Sequence, residues 1–121
     1  MAQEKGSVNN NLQAFLPISL TNGSTVNCLL DTGFDGALMF PRSFAEANSI
    51  EITGSETFTA AEETVFTADI GIAEIDWLND DFLIRIIISD SNDALIGVEM
   101  LVDTILEIDY INSTVKITKP K

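Results

Sequence analysis

Short apolar segments separated by turn signals follow one another along almost the whole chain, and this spacing limits the fold more than any other feature of the sequence. The first segment places one set of apolar residues on a single face at a period of two, namely Leu12, Ala14, Leu16, Ile18 and Leu20. The pair Asn22-Gly23 then supplies a turn that tolerates a positive φ. Many short strands with regularly spaced turns predict an all-β barrel or sandwich.

Further strand-like segments continue this pattern to the end of the chain. They cover Thr25 to Leu30, Ala37 to Phe40, Ile52 to Thr59, Thr64 to Ile75, Phe82 to Ser89, Ala94 to Ile96, Ile105 to Tyr110 and Thr114 to Thr118. Short helices are predicted at Arg42 to Ala47, after Pro41, and at Val98 to Val102. Residues 1–11 are polar, and we expect a flexible tail there, followed by a single domain at residues 12–121.

The composition excludes several classes of site and partner. The 121 residues include no histidine, which excludes Ser-His, Cys-His and His-ligated metal sites within one chain. Six basic residues stand against nineteen acidic ones, and the net charge of −13 argues against a nucleic-acid partner. Neither common type of Gly-rich phosphate loop occurs in the sequence. We therefore expect no metal and no other cofactor, and carboxylates are nearly the only strong acid–base groups.

The apolar runs and the single cysteine bear on the cellular location. None of the runs reaches the roughly 20 residues that a membrane helix requires, and the first eleven residues contain no apolar segment suited to a secretory signal. Cys28 lies in the run from Val26 to Leu30, so we expect a small buried core residue rather than a nucleophile. These features predict a cytoplasmic protein with no membrane partner.

The stretch Asp31-Thr32-Gly33 is the strongest candidate for a site. It follows a strand that is apolar on both faces, where a carboxylate is unfavourable unless it is hydrogen-bonded or used in chemistry. Gly33 allows a tight turn that brings main-chain N–H groups close to the carboxylate, and the Thr32 hydroxyl can bridge to a neighbouring chain. A three-residue match is weak alone, because Asp31 can equally cap an ordinary turn.

Two longer motifs extend this match. Asp31-Thr32-Gly33-Phe34-Asp35-Gly36 runs into an apolar segment ending at Pro41, and Ala94-Leu95-Ile96-Gly97 follows some sixty residues later. With these motifs the sequence, from Leu12 to Thr118, resembles the single-domain retropepsin-like aspartic proteases of bacteria and archaea, especially the branch with the motif D-T-G-F-x-G. The resemblance implies a closed, all-β retropepsin-like barrel with one or two short helices.

The resemblance also implies a mechanism. Two chains would form a homodimer in which the two Asp31 carboxylates activate a water that hydrolyses a peptide bond of a peptide or unfolded protein. Thr32 would hold the two loops in register, Gly33 would orient the carboxylate, and Leu95-Ile96-Gly97 would pack beneath it. The residues implied to contact substrate are Phe34, Ala60, Ala61, Glu62, Ile96 and Gly97.

Several features depart from this family or leave its function open. Ala60-Ala61-Glu62-Glu63 stands where the family has its flap but lacks the glycines common there, so it also suits an ordinary hairpin turn. Phe34 replaces the Ala, Ser or Thr of retroviral and pepsin-like enzymes, and Asp35 is expected to be a surface or turn residue. The alternatives to an active peptidase are a peptide-binding or dimerisation module of the same fold, and an unrelated acidic β-barrel without a site.

Overall fold

The computed structural model describes residues 1–59 and 61–120, and over these residues ten strands hydrogen-bond into a single sheet. The strands are β1 (Ala2–Val8), β2 (Ala14–Leu20), β3 (Thr25–Leu30), β4 (Leu38–Pro41), β5 (Ile52–Thr59), β6 (Val65–Trp77), β7 (Asp80–Ser89), β8 (Leu95–Ile96), β9 (Ile105–Asp109) and β10 (Thr114–Lys119). Helix α1 (Arg42–Ala47) follows β4, and 3₁₀ turns cover Ala61–Glu63 and Val98–Leu101. The predicted all-β fold with short helices is confirmed.

The order of strands across the sheet is β5-β6-β7-β4-β8-β3-β2-β1-β10-β9. A further pairing brings β2 against β6, with Ser19 opposite Asp76 and Leu20 opposite Ile75. The strands from β6 to β2 in this order therefore form a closed ring. Within it, β3 runs parallel to β8 and β4 runs parallel to β7. The parallel β3–β8 pair places the end of β3 beside Ile96.

Alternating burial along the strands produces one core. In β2 every second residue is buried, namely Ala14, Leu16, Ile18 and Leu20, while the residues between them are partly or fully exposed. Side chains from the other strands complete the cluster, among them Phe40, Ile75, Ile86, Ile96 and Ile117. Cys28 belongs to this core with no exposed surface, as the sequence predicts, and burial raises the pKa of its thiol to about 12.

Helix α1 covers one side of this core and ends at a defined signal. The ring of Phe44 meets that of Phe40 edge to face, with 5.1 Å between centroids, and Ala45 is buried. The Asn48 side chain donates to the Phe44 carbonyl at 2.9 Å, and Ser49 takes a positive φ of 57°. These two features end the helix and turn the chain towards β5.

The predicted flexible tail at residues 1–11 is wrong for residues 2–8, which form β1. This strand pairs with β10 from Ala2 opposite Lys119 to Ser7 opposite Thr114, and its last two residues also pair with β2. At Gly6 an added Cβ would lie 1.9 Å from the Phe15 carbonyl oxygen, so the two backbones approach very closely there. The strand is held mainly by backbone hydrogen bonds, which leave no apolar pattern in the sequence.

Among the helices within residues 1–59 and 61–120, none is both long enough and apolar enough to cross a membrane.

Candidate active site

Asp31 is the first residue after β3, and backbone hydrogen bonds fix it on both sides. Its N–H donates to the Ile96 carbonyl at 2.9 Å, which continues the β3–β8 ladder by one step. Its own carbonyl accepts from the Phe34 N–H at 3.1 Å and closes a tight turn. The position of Asp31 is therefore set by a strand that is itself anchored in the core.

The carboxylate of Asp31 is oriented by the turn that follows it. The Gly33 N–H donates to Asp31 Oδ1 at 2.9 Å, and a Cβ added at Gly33 would lie 3.3 Å from the same oxygen. A side chain at position 33 would crowd this hydrogen bond. Asp31 is partly exposed and Thr32 and Gly33 are exposed, so the carboxylate stands at the surface rather than inside the core.

The loop after Asp31 rests on a second loop that begins at Gly97. Gly97 N–H donates to the Ala37 carbonyl at 2.8 Å, and Val98 N–H donates to the Phe34 carbonyl at 3.0 Å. A Cβ at Gly97 would lie 2.0 Å from the Gly36 carbonyl oxygen. The two loops thus meet backbone to backbone, and only glycine fits at position 97.

The Phe34 ring occupies the space that two glycines leave open. A Cβ at Gly36 would lie 2.8 Å from Phe34 Cζ, and one at Gly97 would lie 2.7 Å from Phe34 Cδ2. Phe34 is half-buried in this position. The residue that departs from the retroviral pattern is therefore packed within the loop, where it fixes the shape of the turn.

The residues suggested as peptide contacts fall into two groups. Ile96 has no exposed surface and Gly97 is buried, so in this chain both support the Asp31 loop from below. Glu62 is exposed at the end of the β5–β6 hairpin. Ala60 lies outside the described residues, as does the last residue of the predicted domain, Lys121, and only the backbone of Ala61 is described.

The β5–β6 hairpin has the predicted strands and an unusual turn. Its last pair is Thr59 opposite Val65, and the rings of Phe58 and Phe66 stack across it with 5.4 Å between centroids. Glu62 and Glu63 have φ values of 62° and 60°, a left-handed conformation that costs a residue with a side chain about 1 kcal/mol. The turn therefore adopts a conformation typical of glycine without containing one.

A cavity of about 450 Å³ lies between this hairpin, β7 and residues 35–38 of the Asp31 loop. Four charged residues contribute to its lining: Asp35, Glu56, Arg85 and Glu99. The Arg85 guanidinium forms an ion pair with Glu56. This cavity could not be predicted from the sequence, because its walls come from segments far apart in the chain. Asp35 is exposed, as predicted, but it also borders the cavity.

Within the part of the chain that the structure describes, no three His, Cys, Asp or Glu side chains are grouped so that they could hold a metal ion. Arg42 forms ion pairs with two carboxylates near the hairpin. Arg42 donates to Asp90 at 2.6 Å and to Asp69 at 2.9 Å, and these two carboxylates raise the pKa of its guanidinium. Arg42 thereby links the start of α1 to β6 and to the loop after β7.

Comparison with solved structures places this geometry in a known fold. The chain is similar to a retropepsin-like aspartic protease from Rickettsia conorii, with a TM-score of 0.64 and 14% identity over 95% of this chain and 89% of that one. The fold is retropepsin-like. The same fold is found over 72% of this chain in a foamy viral protease-reverse transcriptase solved with an RNA/DNA hybrid, with a TM-score of 0.53 and 14% identity. The match spans 11% of that viral chain.

The retropepsin-like fold removes one of the three interpretations of the sequence, an unrelated acidic β-barrel. No protein-family model and no curated protein sequence matches the chain. At 14% identity the structural likeness establishes the fold alone.

Proposed function

We propose that the chain is an aspartic endopeptidase that acts as a homodimer, with one Asp31 carboxylate from each subunit forming the catalytic dyad. One observation carries this proposal: the Asp31 carboxylate is partly exposed, oriented by the Gly33 N–H, and held on a strand end anchored to Ile96. A carboxylate that only capped a turn would not need this second loop packed beneath it. The retropepsin-like fold supports the same conclusion.

The chemistry requires two carboxylates in different protonation states. Two such groups brought close together cannot both ionise, so they share one proton. The ionised carboxylate takes a proton from a water molecule while the oxygen of that water bonds to the scissile carbonyl carbon. The protonated carboxylate donates its proton to the carbonyl oxygen. When the tetrahedral intermediate collapses, the C–N bond breaks and the leaving amine takes up a proton from the dyad. No covalent enzyme intermediate forms.

The second subunit is needed because one chain supplies one such loop. Thr32 is exposed next to Asp31, and its hydroxyl is suited to a hydrogen bond with the same loop of the partner. The catalytic role is thus assigned to Asp31, with Thr32 and Gly33 as positioning residues. We also propose that the chain belongs to the bacterial and archaeal branch with the D-T-G-F-x-G motif, because Phe34 and Gly36 fit one another in this loop.

The substrate is proposed to be a peptide or unfolded protein in an extended conformation. Such a chain can add as a strand beside the β5–β6 hairpin, whose turn at Ala61–Glu63 would cover it. Of the described residues, the half-buried Phe34 and the exposed Glu62 are proposed to contact this chain. A cytoplasmic location, and the absence of nucleic-acid and membrane partners, stay predictions from the sequence.

The test is cleavage of a denatured protein and of a peptide library by the wild-type chain and by Asp31→Asn. We expect the wild type to cleave and Asp31→Asn to lose turnover by about 10³-fold or more while keeping its fold. Asp103→Asn is the matched control, because Asp103 is exposed in a left-handed turn conformation that asparagine tolerates. Residual cleavage by Asp31→Asn at the wild-type rate would refute the assignment of Asp31.

A second candidate function is a peptide-binding or dimerisation module without turnover. The observation that favours it is the hairpin turn, where Glu62 and Glu63 hold a strained conformation without glycine. Such a turn is suited to a fixed conformation rather than to an opening lid. Peptide binding that is equal in the wild type and Asp31→Asn, with no cleavage by either, would support this alternative.

A further inference from the structure

The cavity of about 450 Å³ is bordered by residues 35–38, which follow the Asp31 turn in the chain. Asp35, on its border, follows Asp31 by four residues, and four residues of extended chain span at most about 14 Å. The opposite wall comes from β5 and β6, the strands of the hairpin proposed to cover a peptide. A side chain of that peptide, a few residues from the scissile bond, can therefore reach the cavity.

Most of the cavity wall is apolar. It is formed by Leu38, Phe58, Ile70, Leu83 and Ile87. Leu83 is 69% exposed, although it lies within β7 and has neighbouring strands to pack against. An apolar wall open to solvent suits the methylene groups of a long side chain, which gain free energy when they are removed from water.

The charges around the cavity are unbalanced. Arg85 and Glu56 pair with one another across β6, so their charges cancel locally. Asp35 and Glu99 are exposed, and neither has an ion pair or a side-chain hydrogen bond with any residue that the structure describes. The charge left to face a ligand is that of these two carboxylates. Glu99 is held at the border through its backbone N–H, which donates to the Gly36 carbonyl at 3.3 Å.

We propose that this cavity binds a lysine or arginine side chain of the substrate, so that the peptidase prefers basic residues near the bond that it cleaves. This inference rests on the proposed function, since it takes the ligand to be an extended peptide at the Asp31 site. The stem of the basic side chain lies along the apolar wall, and its cationic end is attracted to Asp35 and Glu99. The net charge of −13 adds long-range attraction for basic peptides. An acidic side chain is repelled, and an uncharged one leaves both carboxylates without a partner.

The test measures binding rather than turnover, with Asp31→Asn as the background so that no peptide is cleaved. The probes are fluorescein-labelled decapeptides of constant uncharged sequence, in which one position at a time is lysine, norleucine or glutamate. Norleucine has the same aliphatic length as lysine without the charge. At the position that enters the cavity we expect lysine to bind about tenfold more tightly than norleucine, and glutamate to bind most weakly.

Variants at the cavity locate the effect. We expect Asp35→Asn together with Glu99→Gln to reduce the lysine preference to about twofold, while leaving the affinity for the norleucine peptide unchanged. Asp103→Asn together with Glu46→Gln removes the same charge from exposed positions that do not border the cavity, and should keep most of the preference. Thermal unfolding of all variants verifies that each is folded.

Three outcomes would overturn the inference: norleucine binding as tightly as lysine at every position, equal losses in the cavity and control variants, or no measurable binding of any lysine peptide. The result is separable from the proposed function. In one case the wild type cleaves nothing, but the Asp31→Asn variant still prefers lysine in a way that depends on Asp35 and Glu99. This result would support the basic-residue site and refute the proposed peptidase activity. Cleavage by the wild type without a preference for lysine would support the peptidase activity and refute the basic-residue site.

Discussion

At the scale of single residues, Gly97 is the position where the site tolerates least change. An added Cβ there would lie 2.0 Å from the Gly36 carbonyl oxygen and 2.7 Å from that of Phe34, and both are backbone atoms that cannot move alone. We therefore expect Gly97→Ala to lower the free energy of unfolding by about 2–4 kcal/mol. If the variant still folds, it should also lose peptide binding, because the Asp31 loop rests on this contact.

The control for Gly97 is Gly54, in β5. A Cβ added at Gly54 meets no atom within 4 Å, so Gly54→Ala should change the stability by less than about 1 kcal/mol. Chemical denaturation of the two variants beside the wild type measures both effects. Equal stability of Gly97→Ala and Gly54→Ala would show that the two loops are not packed as described.

Cys28 gives a second prediction at this scale. The thiol has no exposed surface, and burial raises its pKa to about 12, so only about one molecule in 10⁴ carries the reactive thiolate at pH 8. A thiol reagent such as DTNB should therefore leave the native chain unmodified and react fully in guanidinium chloride. Modification of the folded chain at the rate of a free thiol would contradict the buried position.

The sequence could identify candidate residues only where the features that mark them lie close together in the chain. Asp31 and Gly33 were predicted because a strand, a carboxylate and a glycine stand together in the chain, and the bond from Gly33 to Asp31 Oδ1 spans two residues. Glu99 and Phe58 border the cavity through contacts between distant strands. Nothing in a single sequence records such contacts.

At the scale of elements, β1 shows where the sequence reading failed. It contributes little apolar surface, yet it lies between β2 and β10 in the sheet. Glu4 ties it to the turn after β6, since its side chain accepts the Leu78 N–H at 2.9 Å. By contrast β3, β5 and α1 were predicted with the bounds that the structure has, because each is bordered by a turn, proline or asparagine signal.

Glu4 leads to a prediction about pH. Burial raises the pKa of its carboxyl above 4.5; the hydrogen bond from Leu78 partly opposes this rise, and Asp76 adds to it. A raised pKa means that the folded chain binds the proton more tightly than the unfolded chain. The contribution of Glu4 to stability is therefore largest below the unfolded pKa and is lost as the pH rises through the folded pKa.

We accordingly expect Glu4→Gln, which keeps an acceptor for Leu78, to raise the melting temperature at pH 7 and to have little effect at pH 4. Glu46→Gln removes one charge from an exposed position of α1 and serves as the control. Thermal unfolding monitored by circular dichroism at the two pH values measures the difference. A larger gain for Glu4→Gln at pH 4 than at pH 7 would reverse the sign and refute the argument.

At the scale of the whole molecule, the periodic strand pattern was enough to predict the all-β fold class although it left out β1, because it indicates most of the strands and the direction that their side chains face. The resemblance implied a closed barrel, but the sequence did not show that β2 and β6 close the ring, because this pairing joins Ser19 and Leu20 to residues more than fifty positions later. The same limit applies to the cavity. Local periodicity predicts elements, and contacts between distant elements decide where a ligand can bind.

The charge of the whole chain bears on the proposed dimer. Each subunit carries −13, and the few basic groups are unevenly placed, with Lys5 directly opposite Lys116 on β1 and β10. Two such subunits repel one another, and the Debye length falls from about 30 Å at 0.01 M salt to about 10 Å at 0.1 M. We therefore expect the dissociation constant of the dimer to fall by about tenfold or more between 10 and 200 mM NaCl, as measured by sedimentation equilibrium.

Charge variants separate this repulsion from other effects of salt. The combined variant Glu46→Gln and Asp103→Asn carries two fewer negative charges at exposed positions, so its dimer should be tighter than the wild type at 10 mM NaCl and similar to it at 200 mM. Lowering the pH towards 5 should have the same direction of effect, because protonation of carboxylates reduces the charge of both subunits. The association constant could instead prove independent of salt and of these substitutions. The subunits would then meet through surfaces where the charge of the chain has no influence. In that case the proposed dimer would have to be held by contacts other than those around the Asp31 loops.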